Sequence, residues 1–218
     1  MSPQLEEMSA FFTARVDDYD RHMLEEVNGC REGYERMARL VPSGAKDVLD
    51  LGCGTGLELD ALFKIRDGFH VTGIDLTQAM LDALRKKHPD QPMRLICGSY
   101  FEVDFGKECF DAALSFQTMH HFKPEKKLTL YRRIREALRP GGVYIECDYT
   151  ADDDEQEAFF FGEYERLLRE GALDQAASYH YDTPLTVQHQ LGLFQQAGFS
   201  KVQLVWKDHA TALMLASL

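Results

Sequence analysis

The chain has 218 residues, 44% of them hydrophobic, and a formal net charge of −12; it is long enough for one sizeable core and too apolar for global disorder. The negative charge opposes long-range attraction to nucleic acid or an anionic membrane surface, and no apolar run approaches the roughly 20 residues of a membrane span. Cys30, Cys53, Cys97, Cys109 and Cys147 lack the paired spacing of zinc sites; together with an acidic N-terminus that has no signal-peptide apolar region, they predict a cytoplasmic protein with no disulfide and no metal.

In chain order, Phe11 to Asp20 is an aromatic-rich stretch that includes Phe12 and Tyr19. From Arg21 to Leu40, the residues Met23, Val27, Cys30, Tyr34 and Met37 recur at alternating steps of four and three. That periodicity predicts one helix, stopped by Pro42, Ser43 and Gly44. Val48, Leu49 and Leu51 are apolar without strict alternation, as in a strand buried on both faces of a parallel sheet. The run breaks at Gly52, Gly54 and Gly56, where bare backbone permits a tight turn and close approach of a ligand. A helix follows from Leu57 with its free N–H groups at the loop, an arrangement suited to a nucleotide-type ligand. A dinucleotide fingerprint would require a glycine where Leu57 stands; the spacing here is G-x-G-x-G. The second predicted strand, Phe69 to Asp75, ends in an acid that can accept both ribose hydroxyls, a sugar common to NAD and S-adenosylmethionine.

Thr77 is a predicted N-cap for a helix that buries Met80, Leu81 and Leu84. Met93 to Cys97 reads as a third strand, followed by Gly98, Ser99 and Tyr100. Cys109 to Phe116 reads as a fourth, with Gln117, Thr118, Met119, His120, His121 and Phe122 beyond its carboxyl end, where open α/β sheets bind ligands. Pro124 opens a helix that Arg139-Pro140-Gly141-Gly142 is predicted to end, and Val143 to Tyr149 is a fifth strand. Two basic clusters, Arg85-Lys86-Lys87 and Lys126, Lys127, Arg132, Arg133 and Arg135, read as solvated helix faces. The acidic run Asp152 to Glu155 reads as the dipole-complementing start of a helix over Gln156 to Arg169. Phe159, Phe160, Phe161 and Tyr164 on that helix, with Tyr179, His180 and Tyr181 in the loop Gly171 to Pro184, suggest a cover over the active site. A last helix carries Val187, Leu191, Phe194 and Ala197 and stops at Gly198. Lys201 to Trp206 and Thr211 to Ala216 then form an antiparallel pair about a turn at Lys207-Asp208.

The segment Asp50 to Gly56 and the Gly73-Ile74-Asp75 end of the second strand closely resemble the first two motifs of the class I S-adenosylmethionine-dependent methyltransferases, small-molecule type. Met119 to Phe122 resembles the post-strand "His-His-apolar" segment of that family, and the Arg-Pro-Gly-Gly junction extends the likeness over most of residues 46 to 149. The C-terminal segment is similar to small-molecule methyltransferases, quinone-biosynthesis enzymes among them, and to carboxy-S-adenosylmethionine synthase. The resemblance implies a Rossmann-like doubly wound seven-stranded α/β sheet in the order 3-2-1-4-5-7-6 with strand 7 antiparallel, N-terminal helices, and a helical cover inserted after strand 5. One domain is expected over 1–218: a helical cap (1–44), a cofactor-binding core (45–150), a substrate cover (151–184) and a C-terminal helix with β-hairpin (185–218).

The same resemblance implies S-adenosyl-L-methionine as cofactor and S-adenosyl-L-homocysteine as product. It assigns the cofactor to Tyr19, Asp50, Gly52, Cys53, Gly54, Asp75, Leu76, Met80, Ser99, Tyr100, Phe116 and Gln117, with the glycine loop at the methionyl end, Asp75 at the ribose, and Leu76 and Met80 walling the adenine. Family members often carry an acid where Ser99 stands, so adenine recognition here is expected to rest more on Tyr100 and backbone. His120 and His121 are the candidate catalytic residues. The implied reaction is in-line methyl transfer to a small-molecule acceptor, which needs no metal, and needs a base only where the acceptor must lose a proton. A carboxy-S-adenosylmethionine synthase-like enzyme, an RNA methyltransferase and a non-catalytic binding module are the alternatives. The expected partner is a small acceptor, with no membrane and no nucleic acid, in a monomer or homodimer.

Overall fold

A computed structural model describes residues 5–171 and 179–218. Seven strands, β1 (Asp47–Leu51), β2 (His70–Asp75), β3 (Met93–Cys97), β4 (Phe110–Phe116), β5 (Leu138–Tyr149), β6 (Lys201–Asp208) and β7 (Thr211–Ser217), form one sheet in the order β3-β2-β1-β4-β5-β7-β6. The first five pair in parallel, and β7 runs antiparallel to both β5 and β6. This is the expected seven-stranded order.

Strand β1 shows why the continuous apolar run matters. Val48 belongs to a core shared with helices α3 (Cys30–Leu40), α4 (Leu57–Ile65) and α5 (Gln78–Lys87). Leu49 and Leu51 belong to a second core on the other face, shared with α6 (Pro124–Ala137) and α8 (Val187–Ala197). With helices on both sides, β1 has no solvent face and its alternation disappears.

Several local expectations are corrected. The helix expected over Arg21 to Leu40 is two: α2 (Val16–Glu25), which follows a short α1 (Met8–Thr13), and α3. The break falls at Gly29, whose φ of +80° and close packing on Thr211 and Trp206 exclude a side chain. Met23, Cys30, Tyr34 and Met37 are nonetheless all buried. The Arg139-Pro140-Gly141-Gly142 segment lies within β5 as an irregularity opposite Phe110 and Ala112, with Gly141 at φ +82°. The terminal hairpin turns at His209 and Ala210, two residues beyond Lys207-Asp208.

In the second basic cluster Lys126, Arg132 and Arg135 are exposed as expected, but Lys127 is buried and Arg133 half-buried. Lys127 is 1% exposed and donates to Gln190 Oε1 at 3.2 Å, while Arg133 clamps the carbonyl oxygens of Tyr100, Phe101 and Val103. In the first cluster Arg85 donates to the Gln91 and Met93 carbonyls, and Lys87 pairs with Asp20 and Asp60. The acidic run does start a helix: Asp153 Oδ1 accepts from Gln156 N at 2.8 Å at the head of α7 (Asp154–Glu170).

Candidate active site

Two cavities open at the carboxyl edge of the parallel strands. The first, of ≈ 630 Å³, is lined by Gly52 and Gly54 after β1, Asp75, Leu76 and Met80 after β2, Ser99, Tyr100 and Glu102 after β3, Phe116, Gln117 and Thr118 after β4, and Met8, Phe12 and Tyr19 from α1 and α2. Its glycine loop has to be bare. A Cβ on Gly52 would meet Thr118 Oγ1 at 2.7 Å, and Gly52 has φ +74°. A Cβ on Gly54 would enter the gap toward Tyr19, 3.7 Å from its ring. Asp75 is fixed there: Oδ2 accepts from Gly54 N at 3.0 Å, and Oδ1 accepts from Thr77 N at 2.9 Å and Thr77 Oγ1 at 3.0 Å. Thr77 therefore stands at the N-cap position but spends its hydroxyl on orienting Asp75, and no side-chain cap forms. Burial raises the Asp75 carboxyl's pKa, against these stabilising hydrogen bonds.

Asp50 and Cys53 do not line this cavity. Asp50 is fully buried beside Glu58, and neither Asp50 oxygen nor Glu58 Oε1 finds a conventional donor. Burial first, and then the neighbouring Asp50, raises Glu58 well above its ordinary range, while burial is also the main cause that pushes Asp50 up. Both carboxyls are therefore harder to ionise beneath the glycine loop than in water. Cys53 packs its sulfur against Gly73, where an added Cβ would lie 2.9 Å away. Ser99 is present at the wall, with its Oγ accepting from Phe101 N at 3.3 Å, and Tyr100 turns its hydroxyl to Thr118 Oγ1 at 2.9 Å. Glu102, which the sequence reading missed, brings a carboxylate to the same wall three residues on.

The second cavity, of ≈ 760 Å³, shares Phe12, Tyr19 and Gln117 with the first. Its other walls include Phe11, Arg15, His22, His120, His121, Tyr149, His180, Asp182 and Thr211. Gln117 is held at φ +49° and donates to Thr211 Oγ1 at 3.3 Å. His120 and His121 occupy a short 3-10 turn, Met119–His121, at the end of β4. The His120 carbonyl accepts from Thr183 N at 2.7 Å and Thr183 Oγ1 at 3.0 Å, which brings the 180–183 segment over the histidines. His180 N in turn donates to Glu6 O at 2.9 Å, and its ring stacks on Phe11 at 3.5 Å.

His120, His121 and His180 in this cavity differ in how readily they take a proton. His120 Nδ1 lies 2.6 Å from Asp148 Oδ1, so Nδ1–H donates to the buried carboxylate and Nε2 faces Asp182 at 3.5 Å. Burial opposes the imidazolium, but Asp148 and Asp182 outweigh it and push His120 up to about 9. Burial and the neighbouring His120 pull His121 down, and burial with His121 lowers His180 to about 4. Burial opposes ionisation of Asp182, but the two histidines hold its carboxyl far below the usual range.

The expected aromatic cover differs from the observed one. Phe159, Phe160, Phe161, Tyr164 and Tyr181 line neither cavity; Phe159 is 62% exposed, and Tyr164 stacks on Tyr181. The walls over the site come from α1, α2, His180 and Asp182, and the part of the expected cover at 172–178 lies outside the described residues.

Residues 48–142 match the family described as Methyltransferase domain. Together with the sheet order, this match supports a class I S-adenosylmethionine-dependent methyltransferase, with S-adenosylmethionine as cofactor. The chain is similar to the O-methyltransferase cnsE of Penicillium expansum, 25% identical over 193 residues covering 86% of this chain and 64% of the relative. It is also similar to carboxy-S-adenosyl-L-methionine synthase of Campylobacter curvus, 26% identical over 188 residues, with 79% and 77% covered. The structure of a DhpI complex with S-adenosylhomocysteine superposes with a TM-score of 0.71 at 16% identity, covering 95% of this chain and 93% of that one. The chain thus spans just under two thirds of the fungal relative.

Proposed function

We propose that the protein transfers a methyl group from S-adenosylmethionine to a small-molecule acceptor, with the cofactor in the 630 Å³ cavity and the acceptor in the 760 Å³ cavity. The observation that carries this reading is the common wall of Phe12, Tyr19 and Gln117, which sets the two chambers side by side. Asp75 would accept from the ribose hydroxyls, Gly52 and Gly54 would present bare backbone to the methionyl end, and Glu102 supplies the carboxylate that Ser99 lacks. The sulfonium supplies an already activated methyl, so the chain's task is alignment and exclusion of water. Phe12 and Tyr19 exclude water at the junction, while His120 and His121 orient the acceptor's reactive atom.

The acceptor cavity disfavours a carboxylated substrate, which a carboxy-S-adenosylmethionine synthase-like reading would need to hold in a cationic pocket. Its guanidinium, Arg15, already donates to the Phe11 carbonyl at 2.9 Å and pairs with Glu6, and Asp18, Glu26 and Asp182 add carboxylates to the lining. The net charge of −12 supports a small acceptor over RNA. No helix among the described residues is long and apolar enough to cross a membrane, and five free thiols support a reducing, cytoplasmic setting.

Titration calorimetry tests the cofactor half: S-adenosylmethionine and S-adenosylhomocysteine should bind and NAD should not. Mass spectrometry of a metabolite pool incubated with isotopically labelled cofactor tests the transfer half. Labelled product in the polymeric RNA fraction alone would overturn the small-acceptor reading.

A further inference from the structure

The residues that crowd the acceptor cavity form a pattern that methyl transfer does not itself require. His120, His121 and Asp182 can each offer one ligand atom, and these atoms all lie within 4.8 Å of one another. Asp182 Oδ1 is 3.3 Å from His121 Nδ1 and 3.5 Å from His120 Nε2. Charge-assisted hydrogen bonds are shorter, about 2.7–2.9 Å, as the 2.6 Å between His120 and Asp148 shows within the same cluster. The longer pair of distances has another natural reading. Zinc–nitrogen and zinc–oxygen bonds of about 2.0–2.2 Å at tetrahedral angles place neighbouring ligand atoms about 3.3–3.6 Å apart, whereas an octahedral site would bring them to about 2.8–3.1 Å. His121 Nδ1 also lies 3.4 Å from the Tyr181 carbonyl oxygen, again a long contact.

Two further features suit a metal. Asp148 holds His120 by Nδ1 and so presents Nε2 to the cluster, the carboxylate–histidine support that metal-binding histidines commonly have. The three donors also line an open chamber: Asp182 is 40% exposed at its side chain, while the two histidines are 7% and 3% exposed. An ion held there would keep a coordination position directed at the acceptor.

We propose that His120, His121 and Asp182 form a binding site for a divalent, zinc-type cation whose open position takes the ionisable hydroxyl or thiol of the methyl acceptor. The inference deepens the methyl-transfer reading and rests on it for the identity of the chamber. Cysteine spacing carries no sign of it, because the donors are brought together by the contact of the 180–183 segment with the turn after β4.

The test uses the full-length protein, stripped with chelator and titrated with Zn2+ against a chromophoric competitor, with metal content read by plasma mass spectrometry. One equivalent per chain is expected, and Co2+ should give the intense visible bands of a tetrahedral site. Asp182→Asn and His121→Ala should each weaken binding at least about 100-fold, and Asp148→Asn, which only positions His120, about 10–100-fold. S-adenosylhomocysteine binding, measured on the same samples, should survive in Asp182→Asn, because Asp182 is not on the cofactor wall. Less than a tenth of an equivalent of Zn2+ in protein that binds S-adenosylhomocysteine would overturn the metal site and leave the methyltransferase reading standing. Binding undiminished in Asp182→Asn and His121→Ala but lost in His189→Ala would also overturn it, by placing the ion on the exposed group Asp154, Glu157 and His189.

Discussion

The two chambers share a wall but are built in opposite ways. The chamber proposed for the cofactor is mostly the product of local turns at the ends of β1, β2, β3 and β4, where backbone amides and glycines do much of the shaping. The chamber proposed for the acceptor is assembled from α1, α2, the turn after β4, the end of β5, His180, Asp182 and the β6–β7 turn, and its polar character comes from side chains. Backbone-shaped sites tolerate change around them so long as the turn persists, whereas a chamber made from distant segments can change its ligand by exchanging single side chains. Variants should therefore separate cleanly into those that alter cofactor affinity and those that alter turnover.

The largest separation is expected at His120. Once an acceptor is in hand, His120→Ala should lower kcat by about 10²-fold or more, about 2.7 kcal/mol of barrier, while the dissociation constant for S-adenosylhomocysteine changes less than about two-fold. A fall in cofactor affinity equal to the fall in kcat would erase the distinction between the chambers. Asp75→Ala should show the reverse pattern. Loss of its carboxylate removes the charge-assisted acceptor for the ribose and frees Gly54 N and Thr77, and should weaken cofactor binding by about 1.5–3 kcal/mol. Calorimetry showing an unchanged affinity would remove Asp75 from the cofactor site.

The same division explains what could be read from the sequence. Gly52, Gly54, Asp75, Leu76 and Met80 share one cavity wall, as the sequence groups them, because each belongs to a short motif whose geometry is set by its own neighbours. Asp50 is absent from that wall and buried near a second acid, Glu58; a motif position does not reveal which side of the loop its side chain takes. Lys127 misled for a related reason: the helical pattern showed the apolar stripe, but the acceptor that admits a buried ammonium, Gln190, lies on α8. His120 and His121 could be found as a pair, yet Asp182 could not be joined to them, since that contact depends on Thr183 meeting the His120 carbonyl.

The carboxyl pair beneath the glycine loop offers a smaller effect, on stability rather than on binding. Because the folded-state pKa of Glu58 is raised, its contribution is fully present below the unfolded value of about 4.5 and is lost as pH rises through the folded value. Over that window the native state holds a proton that the unfolded chain releases, so stability falls by up to about 1.4 kcal/mol per pH unit. Glu58→Gln lets an amide N–H donate to Asp50 with no proton uptake. Urea unfolding at about pH 5 and about pH 8 should show a shallower decline in the variant; an unaltered decline would place the retained proton elsewhere, Glu146 being the other buried carboxyl pushed up to about 7.

The smallest effect tests what covers the acceptor. The sequence places a dense aromatic run on α7, and its first member, Phe159, is 62% exposed and touches neither chamber. An exposed side chain away from caps, cores and ligands changes stability by no more than about 0.5 kcal/mol when replaced. Phe159→Ser should therefore leave the unfolding midpoint, kcat and the acceptor KM nearly as they are. Phe12→Ala provides the contrast, because Phe12 lines both chambers and packs edge-on against Tyr19 and His121. Its removal opens the common wall to water and should raise the acceptor KM and weaken S-adenosylhomocysteine binding together. If Phe159→Ser raised the acceptor KM several-fold while Phe12→Ala did not, the acceptor would be selected by α7 rather than by the N-terminal helices, and the assignment of the two chambers would have to be redrawn.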